Sequence, residues 1–141
     1  MGEAVTEGVC RAIHNCFGKE YAIYTEKAEQ GFKRPGFFVQ KEGGSLELFR
    51  GKRYYMKNAL LVTYYPPYKC RKEEMTGVGE RLAACLGLIE AEGDKIRGGA
   101  VTLETEVECL KCRVSYDFFV IIENAEEATE LMQEYKLNFK E

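Results

Sequence analysis

Six cysteines, a single histidine and an alternating row of glutamates are the residues of this sequence whose types could do chemistry. Cys109 and Cys112 form a C-x-x-C pair. A thiolate binds soft metal ions, but a structural zinc site needs a second ligand pair at suitable spacing. Cys10 and Cys16 flank His14 on what reads as a helix, and they do not supply that pair. A redox C-x-x-C would end a strand and open a helix. This one runs into "CRVSYDFFVII", which reads as strand. Cys70 and Cys85 stand apart from both groups. The opening "MGEAVTEGVC" carries acid where a secretory leader has a basic region and an apolar run. A reducing compartment and free structural thiols are therefore expected for all six, with a metal or redox role as the alternative. Glu104, Glu106 and Glu108 alternate along a predicted strand. They are either a cation site or, more simply, a solvated face. His14 lies beside an apolar stripe, where an imidazole is usually surface or packed. There is no phosphate-binding glycine loop, no dinucleotide fingerprint and no nucleophile elbow. The expectation is no catalytic residue, no cofactor and no metal, hence no enzyme.

The elements that must position these residues follow from periodicity. Residues 3–17 place Val5, Val9, Ala12, Ile13 and Cys16 on one helical face, and Gly18 stands where a helix ends in the left-handed region. Strand-like runs follow at 21–24, 36–41 and 44–49. The long run "RYYMKNALLVTYY", 53–65, comes after a turn at Gly51. Both of its faces are apolar toward Pro66, which predicts cover on both sides at that end. A second helix over 71–87 carries Met75, Val78, Leu82, Cys85 and Leu86, with Ile89 continuing the stripe. Gly77 and Gly79 inside it mark close packing or an irregular first turn. "IEAEGDKIRG" reads as a hairpin around Gly93-Asp94. "AVTLETEVE" and "CLKCRVSYDFFVII" read as two strands. In the second, Leu110, Cys112, Val114, Tyr116, Phe118 and Val120 share a face opposite Lys111, Arg113, Ser115 and Asp117. Asn124 with Glu127 predicts the capped start of a third helix, with Ala128, Leu131, Met132 and Tyr135 on its stripe. "KLNFKE" closes the chain as a short edge strand. The fold class expected is α+β: a largely antiparallel sheet with two main helices packed on it plus a C-terminal helix, in one domain over 1–141.

Charge is uneven. Residues 33–72 hold ten Lys or Arg against two acids, whereas 73–141 hold seven against sixteen. Either the halves interleave and their fields cancel, or a basic side of one copy meets the acidic side of the next, as heterologous contacts in rings do. A third reading is nucleic-acid binding, with Tyr54 and Tyr55 stacking beside Lys52 and Arg53. The pI near 5.4 counts against it. No apolar run approaches a membrane span.

Several segments resemble one known family. "IYTEKAEQGFKRPGFFV", 23–39, resembles the N-terminal signature of the phage tail terminator family, the tail-completion proteins of prophages and phage tail-like particles of Gram-positive bacteria. "RYYMKNALLVTYYPP" is similar to their long strand, and "DKIRGGAVTLETEV" with "CRVSYDFFV" to their C-terminal pair. The resemblance implies a tail-terminator-like fold and a structural virion protein. Its members form a ring, typically of six copies, on the head-proximal end of the tail tube. The ring stops tube polymerisation and offers a surface for head-tail joining. The implied partners are other copies of the chain, the tail tube protein, and head-tail connector or sheath proteins. No membrane is involved, and DNA at most passes through the ring. Assembly would take place in the host cytoplasm, and the product would sit in the virion tail. On this reading the polar loop between two pieces of sheet is an interface. Glu26, Lys27, Glu29, Gln30, Gly31, Phe32, Lys33 and Arg34 would contact a neighbouring subunit or the tube, with Phe32 as anchor and Gly31 permitting a tight turn. The alternative is a small accessory protein that binds a metal through its cysteines, or nucleic acid.

Overall fold

A computed structural model describes residues 2–25, 33–67, 72–124, 126–127 and 129–130. The elements are α1 (Gly2–Phe17), β1 (Ala22–Tyr24), β2 (Gly36–Arg50), β3 (Arg53–Tyr65), α2 (Lys72–Leu86), β4 (Leu88–Ala91), β5 (Asp94–Arg97), β6 (Thr102–Thr105) and β7 (Leu110–Ile121). Five strands form one sheet in the order β1-β2-β3-β7-β6, and β4-β5 is a separate hairpin. Every pairing is antiparallel except β1 with β2. The fold is α+β, a mostly antiparallel sheet with two helices.

The β7 alternation is observed: Leu110, Cys112, Val114, Tyr116 and Val120 are buried and Phe118 is half-buried. On β3 the even residues Met56, Leu60, Val62 and Tyr64 are buried beside them. Both rows join a core with Val5, Val9, Ile13 and Phe17 of α1 and Met75, Leu82 and Leu86 of α2. The α1 stripe therefore ends at Phe17. Cys16, expected on it, is exposed, because the buried row advances by four residues from Val5 to Phe17. Ile89 continues the apolar order but lies on β4, since α2 ends at Leu86.

Toward Pro66 both faces of β3 are covered: Thr63 and its β2 partner Phe38 are buried on the face away from the core, while Tyr55, Ala59, Leu61 and Tyr65 stay half-buried. The predicted strands 36–41 and 44–49 are one strand. A register shift between Lys41 and Gly43 absorbs an extra residue and keeps the pairing with β3 in step.

Close backbone approaches set the layers. A Cβ on Gly79 would meet Leu110 Cδ2 at 2.8 Å, so this glycine lets α2 settle on β7, while Gly77 faces open space. A Cβ on Gly8 would meet the Glu90 carbonyl oxygen at 2.5 Å, which brings α1 onto β4. Arg81 ties the helices: its Nη2 donates to the Cys16 carbonyl at 2.9 Å and its guanidinium lies 4.5 Å from the Phe17 ring centroid. It thus serves the carbonyl end of α1. The β4–β5 turn falls on Glu92 and Gly93, both with positive φ, one residue before the predicted position. Asn124 Oδ1 accepts the Glu127 amide at 2.7 Å, as a helix cap does. The remainder of the expected third helix and the "KLNFKE" strand lie outside the described residues, apart from helical turns at 126–127 and 129–130.

Candidate assembly interface

Parallel pairing explains the length of the polar loop. Tyr24 ends β1 and Gly36 begins β2, and the two strands run the same way. The chain must travel back along the sheet before it can pair again, which takes about a dozen residues. Residues 25–35 connect the two strands, and 26–32 of them lie outside the described residues. Of the interface residues expected there, Glu26, Lys27, Glu29, Gln30, Gly31 and Phe32 lie outside the described residues. Lys33 and Arg34 lie within them. The Lys33 amide donates to the Tyr24 hydroxyl at 3.1 Å, and the Arg34 guanidinium stands 5.6 Å from the Tyr65 ring centroid. The loop base is thereby fastened to β1 and β3. Lys33 is exposed.

A second surface lies at the other end of the long strands. The β2–β3 turn at Gly51-Lys52 adjoins the C-terminal end of β7, where Arg53 pairs with Ile121 and Tyr55 with Phe119. A small inner cluster of Met56, Val120 and Ile122 covers one face. The outer face carries Phe49 at 61%, Phe119 at 51% and Ile121 at 66% exposure. The Phe119 ring centroid is 5.1 Å from Phe49 and 4.8 Å from Tyr55. Arg53 stands 5.9 Å from the Phe119 ring and Lys57 5.8 Å from that of Tyr55. Arg50 and Lys52 complete an aromatic patch with a basic rim. Nothing among the described residues covers these side chains, and an aromatic and arginine composition marks interface anchors.

This patch is absent from the expected contact residues, yet its signal is present in "DFFVI". A strand with Phe118 inward must carry Phe119 and Ile121 outward. The same rule separates Tyr54 from Tyr55. Tyr54 packs with the inner cluster and Tyr55 faces outward, so they do not form one stacking platform.

The opposite end of β7 is acidic. β6 stops at Thr105 and the chain turns back, with the Glu106 amide donating to the Cys109 carbonyl at 2.8 Å. Glu104, Glu106 and Glu108 are therefore not one row on a strand. Glu104 bonds Arg113, which also holds Glu42, and Glu106 bonds Lys111 at 3.0 Å. The hydrogen bond from Lys111, and secondarily that from Cys109, keeps the Glu106 carboxyl below its usual range. Val107, at 98% exposure, stands at the tip of this turn.

Among the described residues, Cys10, Cys16, Cys85, Cys109 and Cys112 are free thiols, and no group of three or more His, Cys, Asp or Glu is placed to hold a metal ion. Cys70 lies outside them. The C-x-x-C is divided: Cys112 packs in the core, while Cys109 Sγ donates to Glu106 Oε2 at 3.4 Å. Burial pushes the Cys112 thiol up to about 11. Burial, with help from the Cys16 thiol, pushes Cys85 up to about 12, and Cys85 donates to the Ala12 carbonyl. These are protonated, poorly nucleophilic thiols at neutral pH. His14 is exposed. No described helix is long and apolar enough to cross a membrane.

No curated protein matches the chain in sequence. A solved structure similar to it has 9% identity and a TM-score of 0.40, covering 84% of this chain and 96% of its own; likeness at that level carries no argument. The model of one family, described as phage tail terminator protein, matches residues 4–128, which takes in α1 from Ala4, α2, every described strand and both surfaces. Nearly the whole chain thus fits one pattern, and it belongs to the phage tail terminator proteins, structural components of the phage tail.

Proposed function

We propose that this chain ends the growth of the tail tube. Copies close into a ring of about six on the head-proximal end of the tube, and the ring's other side serves head-tail joining. Each copy acts as one domain over 1–141. Its partners are its own neighbours, the tube protein, and the connector or sheath proteins. DNA at most passes through the bore, and no residue has a catalytic role. The observation that carries this reading is the difference between the two ends of β7: an exposed aromatic patch with Arg53 beside Ile121, and beside Leu110 a turn that presents Val107 and Glu108 while Glu104 and Glu106 pair with Arg113 and Lys111. A protein with unlike ends suits head-to-tail contact, which closes into rings. The loop residues Glu26, Lys27, Glu29, Gln30, Gly31, Phe32, Lys33 and Arg34 contact a neighbour or the tube in this scheme.

Size-exclusion chromatography with light scattering, on the chain alone and with the tail tube protein, tests it. The mixture is expected to yield capped, short tubes. Lys33→Glu with Arg34→Glu is expected to stay folded by circular dichroism and leave overlong tubes. Normal capping by that double variant would remove the loop from the interface. A nucleic-acid role has one observation in its favour, the cations over Phe119 and Tyr55. A salt-dependent gel shift that disappears in Arg53→Glu would support it.

A further inference from the structure

We infer that the β6–β7 turn of one copy, Glu106-Val107-Glu108, docks on the aromatic patch of Phe49, Tyr55 and Phe119 of the next copy. This deepens the ring reading and rests on it. Val107, at 98% exposure between two carboxylates, presents an aliphatic side chain at the tip of the turn. The turn is also pre-formed. The Glu106 amide bonds the Cys109 carbonyl, its carboxylate takes Lys111, and the Cys109 thiol donates to it as well. A shaped, braced segment loses little freedom on docking.

The patch offers apolar area at Phe49 and Phe119, and at its turn end it carries Arg50, Lys52 and Arg53, with Glu47 and Asp117 farther along the same face. Glu106 is already occupied by Lys111, so Glu108 is the carboxylate offered to Arg53. One copy cannot satisfy itself. The patch and the turn adjoin opposite ends of β7, Leu110–Ile121, a separation of about 36 Å at strand rise. Patch on patch would set Arg50, Lys52 and Arg53 of one copy against those of the other, which disfavours a two-fold dimer of that kind. Contact between copies joins the two, and the ring reading selects the head-to-tail form over a two-fold pair in which each turn meets the other copy's patch.

The test combines cross-linking and charge exchange in the full chain. With a benzophenone amino acid at Val107, the expected cross-links join different copies and fall within 49–57 or 117–121. Arg53→Glu and Glu108→Arg are each expected to weaken self-association at least about ten-fold, and together to restore it to within a few-fold. If the wild type associates and caps tubes while the cross-links fall elsewhere, or within one copy, this docking is wrong and the ring stands. Failure of the double exchange to recover overturns it equally. Binding of a single-stranded oligonucleotide that Arg53→Glu abolishes, with self-association unchanged, would assign the patch to nucleic acid instead. If the wild type neither associates nor caps tubes, the ring reading itself falls.

Discussion

The Tyr116 hydroxyl donates to the Leu86 carbonyl across 2.6 Å, inside the core. It joins the middle of β7 to the last turn of α2, where a helix leaves carbonyls without intrahelical donors. Tyr116→Phe keeps the ring and removes the donor. The unfolding free energy is expected to fall by about 1–3 kcal/mol, the cost of an unsatisfied buried carbonyl. Urea denaturation measures it. A change below about 0.5 kcal/mol would mean the carbonyl finds another partner.

The same neighbourhood sets an alkaline limit on stability. Burial raises the Tyr116 hydroxyl above its ordinary value and pushes the Cys85 and Cys112 thiols up to about 12 and about 11 from 9.0. Above the unfolded thiol value, the unfolded chain releases protons that the folded chain retains. Stability is therefore full below about pH 9 and declines from there toward the folded values. Cys112→Ala should flatten that decline. A urea midpoint unchanged between pH 8 and pH 11 would contradict the burial of these groups.

Two glycines should respond to alanine with opposite signs. Gly77 faces open space in α2, so Gly77→Ala is expected to stabilise by up to about 1 kcal/mol through helix propensity. Gly8→Ala gains the same propensity but drives a Cβ to within 2.5 Å of the Glu90 carbonyl oxygen. It should destabilise, by about 1–3 kcal/mol. Thermal and urea unfolding of both variants gives the comparison.

The Phe118-Phe119 doublet separates stability from assembly. Phe118→Ala strips the inner cluster with Met56, Val120 and Ile122 and is expected to cost about 1–3 kcal/mol, below a full core deletion because the ring is half-buried. Leu82→Ala, at 0% exposure, should cost about 2–5 kcal/mol. Phe119→Ser is expected to change stability by under about 1 kcal/mol and yet to impair tube capping. Denaturation of Phe119→Ser beside a capping assay decides whether that face is for packing or for a partner.

Much of this arrangement is legible in the residues. The β7 faces follow from strict alternation over Leu110, Cys112, Val114 and Tyr116, because a strand repeats every two residues. The strand reading of the C-x-x-C holds, since Leu110 to Ile121 continues as strand through Cys112. What stays hidden has physical causes. Glu42-Gly43-Gly44 reads as a break, but a bulge carries β2 through it. The parallel pairing of Ala22–Tyr24 with Gly36–Phe38 leaves no residue signature, only a loop long enough to return. The exposed patch is half visible: the alternation that buries Phe118 also turns Phe119 outward, but only the packed layers show that nothing in the described residues covers it.

The most direct measurement is the length distribution of tail tubes grown from purified tube protein, imaged by electron microscopy with and without this chain. With it, tubes should stop short, lengths should narrow, and one end should carry a ring of density with about six-fold symmetry. Tubes of unchanged length with bare ends, at a concentration where the chain is folded and in excess, would contradict the terminator account.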